Sequence, residues 1–192
     1  MISRNTAPAS RVARTTPIND RLSKLFEDQL ANLKSAEHQL TFAIPILEAA
    51  AKSKDLKTLL HIHLEETKGH LATVKQVADS LEVKLPGKTC KGMKGLIKEA
   101  VGILIHALHS DDRDNAIIAA AQKIEHYEIA SYGTLCAWAA QLGYTHEGAL
   151  LASTLSQEKM ADTLLTGVAR GKSLEKLVKN TSLQRMGAKI KP

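Results

Sequence analysis

Seven ionisable side chains interrupt the apolar seams of four long helical segments: Glu37, His63, Glu66, His70, Glu128, Glu158 and Asp162. A carboxylate aimed into a helix-bundle core must find a proton, a partner or a metal, so this placement limits both the fold and its chemistry. In the first segment Phe26, Leu30, Leu33, Glu37, Leu40 and Ile44 follow a 4-3-4-3-4 spacing that lines one helix face. The second carries Leu56, Leu59, His63, Glu66, His70, Val74 and Val77. The third carries Ile117, Ala121, Ile124, Glu128, Ser131 and Leu135, and the fourth Leu151, Leu155, Glu158, Asp162 and Leu165.

Capping signals bound these segments. Helix A is expected from Asn19 or Asp20 to about Lys52, with Pro45 kinking it. Helix B follows Ser53 and Asp55 and ends near Leu81. A loop through Leu85-Pro-Gly87 leads to a shorter helix from Met93 to about Leu108. Helix C follows Ser110 and Asp111 and stops at Gly143, and helix D starts near Thr145. The fold expected is all-α: an antiparallel four-helix bundle over residues 19–170, with a shorter helix between the two hairpins.

Aromatics at 3% and only five prolines and eleven glycines in 192 residues favour an all-α protein over a β-sandwich. Cys90 and Cys136 are far apart, so neither a disulfide framework nor a thiolate metal site is expected, and a reducing, cytoplasmic setting fits. No apolar run reaches the roughly 20 residues of a membrane span. The net charge of +6 resides in the ends. Residues 1–18 hold three arginines and no acid and read as a flexible basic arm; from residue 170 onward seven basic residues face one acid, and residues 171–192 read as a basic tail. Such ends can bind phosphate without sequence preference, which keeps nucleic-acid contact open as a second function class.

The two halves echo one another. Glu66 follows Glu37 by 29 residues and Glu158 follows Glu128 by 30, so Glu66 and His70 align with Glu158 and Asp162. Each hairpin offers one carboxylate from its first helix, then a carboxylate and a further ligand from its second. Oxygen-rich ligation with imidazole suits iron or manganese. In ferritin-like carboxylate proteins the site is a Glu from each of two helices plus Glu-x-x-His from the other two. The expected ligand set is therefore Glu37, Glu66, His70, Glu128, Glu158 and Asp162, with Glu125 as an additional ligand one turn before Glu128. His63 and His70 lie about 10 Å apart along the helix, so one ion cannot hold both; His63 is expected as a hydrogen-bonding neighbour of the ligands or a satisfied core histidine. Tyr127 and Tyr132 flank the helix C carboxylates and read as packing residues with a hydrogen bond to those acids as the alternative, Trp138 and the cysteines as packing residues, and His38, Glu65, Glu99 and His126 as solvated or locally satisfied.

The run Gln122-Lys-Ile-Glu-His-Tyr-Glu-Ile-Ala-Ser-Tyr-Gly-Thr-Leu135 resembles the YciE/YciF family of ferritin-like proteins, as do Ala36-Glu-His-Gln-Leu40, His63-Leu-Glu-Glu-Thr67 and Leu155-Ser-Gln-Glu-Lys159. The likeness covers about residues 20–170. It implies a ferritin-like bundle with a fifth helical element, a homodimer, and a stress-response role. Within the wider superfamily the layout is similar to rubrerythrin, whose Glu-x-x-Glu corresponds to Glu125 and Glu128. There the likeness falters: Glu-x-x-His would place histidines at Gly69 and Ala161, and this chain carries His70 and Asp162 one residue later. The function implied is a dinuclear iron or manganese centre that oxidises Fe(II) with oxygen or peroxide, or consumes peroxide. The alternative is a non-catalytic dimeric structural or binding protein with a degenerate or vacant metal site.

Overall fold

Pro17 opens the first helix, where its fixed φ and missing N–H suit the first helical position. The computed structural model describes residues 17–180. Its helices are α1 (Pro17–Ala50), α2 (Lys54–Ser80), α3 (Lys91–Ala107), α4 (Arg113–Leu142) and α5 (Thr145–Ala169), followed by a short α6 over 174–180. Helix α1 runs unbroken through Pro45. No helix among the described residues is long and apolar enough to cross a membrane.

Chain direction follows from the turns. Ser53 caps α2, its side-chain oxygen accepting the Leu56 N–H at 3.4 Å. The Asp114 carboxylate accepts the N–H groups of Lys52 and Ser53, each at 2.7 Å, which pins the start of α4 beside the α1–α2 turn. Helices α2 and α4 therefore start at the same end and run the same way. The chain between them must return along the bundle, and α3, 17 residues and about 25 Å long, covers most of that distance while packing on α4 and α1. This single long crossover is the ferritin-like connection. The α1–α2 and α4–α5 hairpins close into a four-helix bundle through α1 against α4 and α2 against α5.

Between α4 and α5, Gly143 adopts φ 75° and the Tyr144 N–H reaches back to the Ala139 carbonyl at 2.9 Å. A Cβ at this position would meet no atom within 4 Å, so a side chain costs only backbone strain. Gly143→Ala is expected to lower stability by about 1 kcal/mol, read as a shift in the denaturant midpoint at unchanged slope.

Past α5 the chain departs from the basic tail expected over 171–192. The 174–180 segment is a helix docked on the core: Leu174 is buried, its N–H donates to the Asp55 carboxylate at 3.1 Å, and Leu177 packs directly over Gly167. Asp55 thus caps α6 from the first turn of α2. The basic arm, apart from Pro17 and Ile18 in the first turn of α1, and the remainder of the tail, residues 181–192, lie outside the described residues.

Two apolar clusters fill the interior. One gathers Leu40, Ile44, Leu56, Leu60, Ile117, Ile124 and Leu165, and the other Phe26, Leu30, Leu33, Val74, Tyr132, Leu135 and Leu151. Along each bundle helix they fall on opposite sides of the ionisable positions, so a polar layer divides the core.

Candidate metal centre

That layer holds Glu37 from α1, His63 and His70 from α2, Glu125 and Glu128 from α4, and Glu158 from α5, each no more than 4% exposed. They form two potential ligand groups, His63–Glu125–Glu128–Glu158 and Glu37–His70–Glu158, within which the donor atoms all lie within 4.8 Å of one another. Glu158 belongs to both. The two histidines fall in different groups, in keeping with the reading that one ion cannot hold both.

The close approaches inside the layer are carboxylate–imidazole ion pairs. His70 Nδ1 lies 2.8 Å from Glu158 Oε1 and 3.9 Å from Glu37 Oε1, and His63 Nε2 lies 3.1 Å from Glu125 Oε1. Yet His63 Nδ1 and Nε2, His70 Nδ1 and both oxygens of Glu128 and Glu158 are buried without a hydrogen-bond partner, as are Glu37 Oε2 and Glu125 Oε2. Among the described residues only Arg113 Nε joins these nine orphaned atoms. Donors about 2.1 Å from a shared ion and at right angles to each other sit about 3 Å apart while pointing at the ion, not at one another. The donor set fits a hard-to-borderline dication: carboxylate oxygens and imidazole nitrogens, no thiolate.

Polar contacts outside the layer orient it. Tyr132 Oη donates to Glu37 Oε1, which leaves Glu37 Oε2 free, and His70 Nε2 meets Gln157 Oε1 at 2.9 Å. Position beside the α4 carboxylates points to packing or a hydrogen bond to one of them for Tyr132; the bond it makes goes instead across the bundle, to Glu37 of α1. Tyr127 turns away, its hydroxyl 2.9 Å from the Cys90 sulfur.

Two expected ligands stand outside both groups. The side chain of Glu66 is 32% exposed, with Oε2 3.7 Å from His63 Nδ1. Asp162 is 23% exposed and bound at 3.3 Å to both Gln122 Nε2 and His126 Nε2. The reason is helical phase. The inward row of α2 is His63, Thr67, His70 and Val74, so Thr67 takes the place assigned to Glu66. On α5 the row is Thr154, Glu158, Ala161 and Leu165, and Ala161 takes the place assigned to Asp162. Each displaced acid is rotated by about 100°. The twofold echo is thereby broken: α2 supplies two imidazoles, α5 one carboxylate.

Without an ion the layer is under electrostatic stress. Burial, then the neighbouring Glu158, push Glu37 up to about 8. Burial also drives Glu128 well above the ordinary carboxylate range, helped by Glu158, Glu37 and Glu125. Glu125 is raised by burial against the opposing pull of His63. Burial alone would depress both histidines, but Glu125 lifts His63 well above its usual value, and Glu158 with Glu37 lifts His70. In Glu158 the two histidines outweigh burial and hold it low.

Comparison with known proteins matches this architecture. The chain is 44% identical over 149 residues to Protein YciF of Escherichia coli K12, covering 77% of this chain and 90% of that protein. The crystal structure of the E. coli stress protein YciF superposes with a TM-score of 0.72 at 43% identity, over 77% of this chain and 94% of that one. YcfI from Rhodopseudomonas palustris gives a TM-score of 0.73 at 39% identity, over 76% and 92%. A Xanthomonas campestris protein shares the fold at 20% identity, with a TM-score of 0.62 over 87% and 99%. Residues 21–178 match the family described as Domain of unknown function (DUF892), and with that span and these relatives the chain belongs to this YciF-containing family of helical-bundle proteins.

Proposed function

We propose that the chain binds a dinuclear iron or manganese centre in the polar layer and serves a stress response by oxidising Fe(II) or consuming peroxide. The observation that carries this reading is the convergence of nine buried, unpartnered donor atoms from six residues on four helices. Four carboxylates and two neutral imidazoles carry a charge that two dications cancel, whereas one would leave a buried excess. When bound, such a pair of ions supplies one-electron redox steps and open coordination positions for oxygen or peroxide.

The protein's own contribution is arrangement. Tyr132 holds its proton on Glu37 Oε1 and so fixes that carboxylate's free oxygen toward the layer. Gln157 fixes the ring of His70 from behind. The apolar clusters above and below keep bulk water away from the donors. The homodimer belongs to this reading too, with exposed Phe42, Ile46 and Ile105 offering apolar surface for it.

Protein purified without chelator from iron- or manganese-supplemented cells is expected to carry about two ions per chain by elemental mass spectrometry. The Glu37→Gln/Glu128→Gln double variant should lose them while staying helical. Wild type that is metal-free and cannot be reconstituted would overturn the reading in favour of a protonated, hydrogen-bonded layer in a structural protein.

A further inference from the structure

The polar layer is sealed from bulk water on most sides, so ions need a way in, and the helix-phase mismatch at Glu66 opens one. Between α2 and α5 lies an open cleft of about 590 Å³ lined in part by Glu65, Glu66, Gly69, His70, Thr73 and Gln157. At its floor stands His70, one of the layer's own donors: Nδ1 faces Glu158 inside, and Nε2 faces Gln157 at the cleft. Glu66 spans the same boundary, with its partly exposed side chain at the cleft and one oxygen 3.7 Å from the buried, unpartnered Nδ1 of His63. Gly69 lies on the cleft wall, and a Cβ there would touch nothing within 4 Å, so a larger side chain has room to extend across the opening.

We infer that this cleft is the port through which a divalent cation reaches the layer, with Glu66 as the carboxylate that receives it and Gln157 as a latch on His70. The inference rests on the dinuclear reading and adds its route of supply. The chemistry of the wall favours a cation over an organic molecule: carboxylate, amide and imidazole donors face the cleft, and Ile62 is its one large apolar side chain. A hydrated dication passing inward exchanges water for Glu66, then Glu66 for the layer, and is at no stage without ligands.

The test is a size series at Gly69 in the full-length metal-free protein, with Co(II) as the probe. Uptake rates come from stopped-flow absorbance of the bound ion, and final content from elemental analysis. Gly69→Ala should load at the wild-type rate, Gly69→Leu more slowly, and Gly69→Phe about tenfold more slowly, all reaching the wild-type cobalt content. All three substitutions raise helix propensity at an open position, so a general stabilising effect would appear equally in the alanine variant. Glu66→Gln should slow loading without lowering the final content. Equal rates across the series would overturn the port while leaving the dinuclear reading intact. A wild type that takes up no cobalt at any time would overturn both.

Discussion

Replacing Glu158 by alanine is expected to empty both metal positions at once. Glu158 belongs to both ligand groups, both of its oxygens are buried without a hydrogen bond, and no other side chain among the described residues is shared in this way. Removing it takes away the carboxylate nearest His70 and leaves His63 with Glu125 as its closest acid. Metal content should fall from about two ions per chain to near zero, a loss well beyond the 10–100-fold that weakening an outer contact produces. Glu66→Gln and Asp162→Asn are the controls, since the two acids most like Glu158 in the sequence lie outside both groups. Each should retain the wild-type metal content at equilibrium. If Asp162→Asn strips the protein as Glu158→Ala does, the two-group assignment fails.

The second large effect is a reversal of pH dependence by metal. In the metal-free protein, folded Glu37, Glu125 and Glu128 hold protons that the unfolded chain releases near pH 4.5, and folded His63 and His70 hold protons released near 6.5. A group whose folded pKa is raised stabilises fully below its unfolded pKa and loses that contribution as pH rises toward the folded value. Each such group therefore weakens the fold by up to about 1.4 kcal/mol per pH unit within its window. Glu158 has the opposite sign, but its stabilising contribution is already complete above pH 4.5. From pH 5.5 to 7.5 only the raised groups change, so the metal-free melting temperature should drop by several degrees or more. Metal binding expels those protons, so its stabilisation should grow over the same range. Thermal melts of chelated and loaded protein at both pH values test this; a metal-free protein more stable at pH 7.5 than at 5.5 would contradict it.

The fold was largely open to inspection in the sequence because helix periodicity and caps are local. Ser53, Gly143 and the long segment before Ser110 located three turns and the crossover, and the seam of α1 held residue by residue from Phe26 to Ile44. The site was legible only where a seam position was unambiguous. Glu37, Glu128 and Glu158 occupy such positions; Glu66 and Asp162 each sit beside a small or β-branched neighbour, Thr67 or Ala161, that fits the inward row as well. Periodicity alone cannot choose between adjacent residues 100° apart when both fit the spacing. The apparent repeat pulled the choice toward symmetry, and His63 was set aside for the same reason. That Tyr132 bonds Glu37 rather than an acid of its own helix, and that 174–180 docks on Gly167, depend on contacts across the fold, which no local pattern encodes.

The crossover through α3 has an electrostatic corollary. By placing α4 beside α1 and α5 beside α2, it makes adjacent members of the four-helix bundle antiparallel, so their peptide dipoles oppose one another. The six donors also sit near mid-helix, two turns or more from any terminus, beyond the reach of the partial positive charge at a helix start. Many buried anions in proteins are neutralised by the backbone that surrounds them. Here no helix terminus lies close enough to do so, and the charge of the layer is met by what comes from outside the chain, protons in one state and cations in the other.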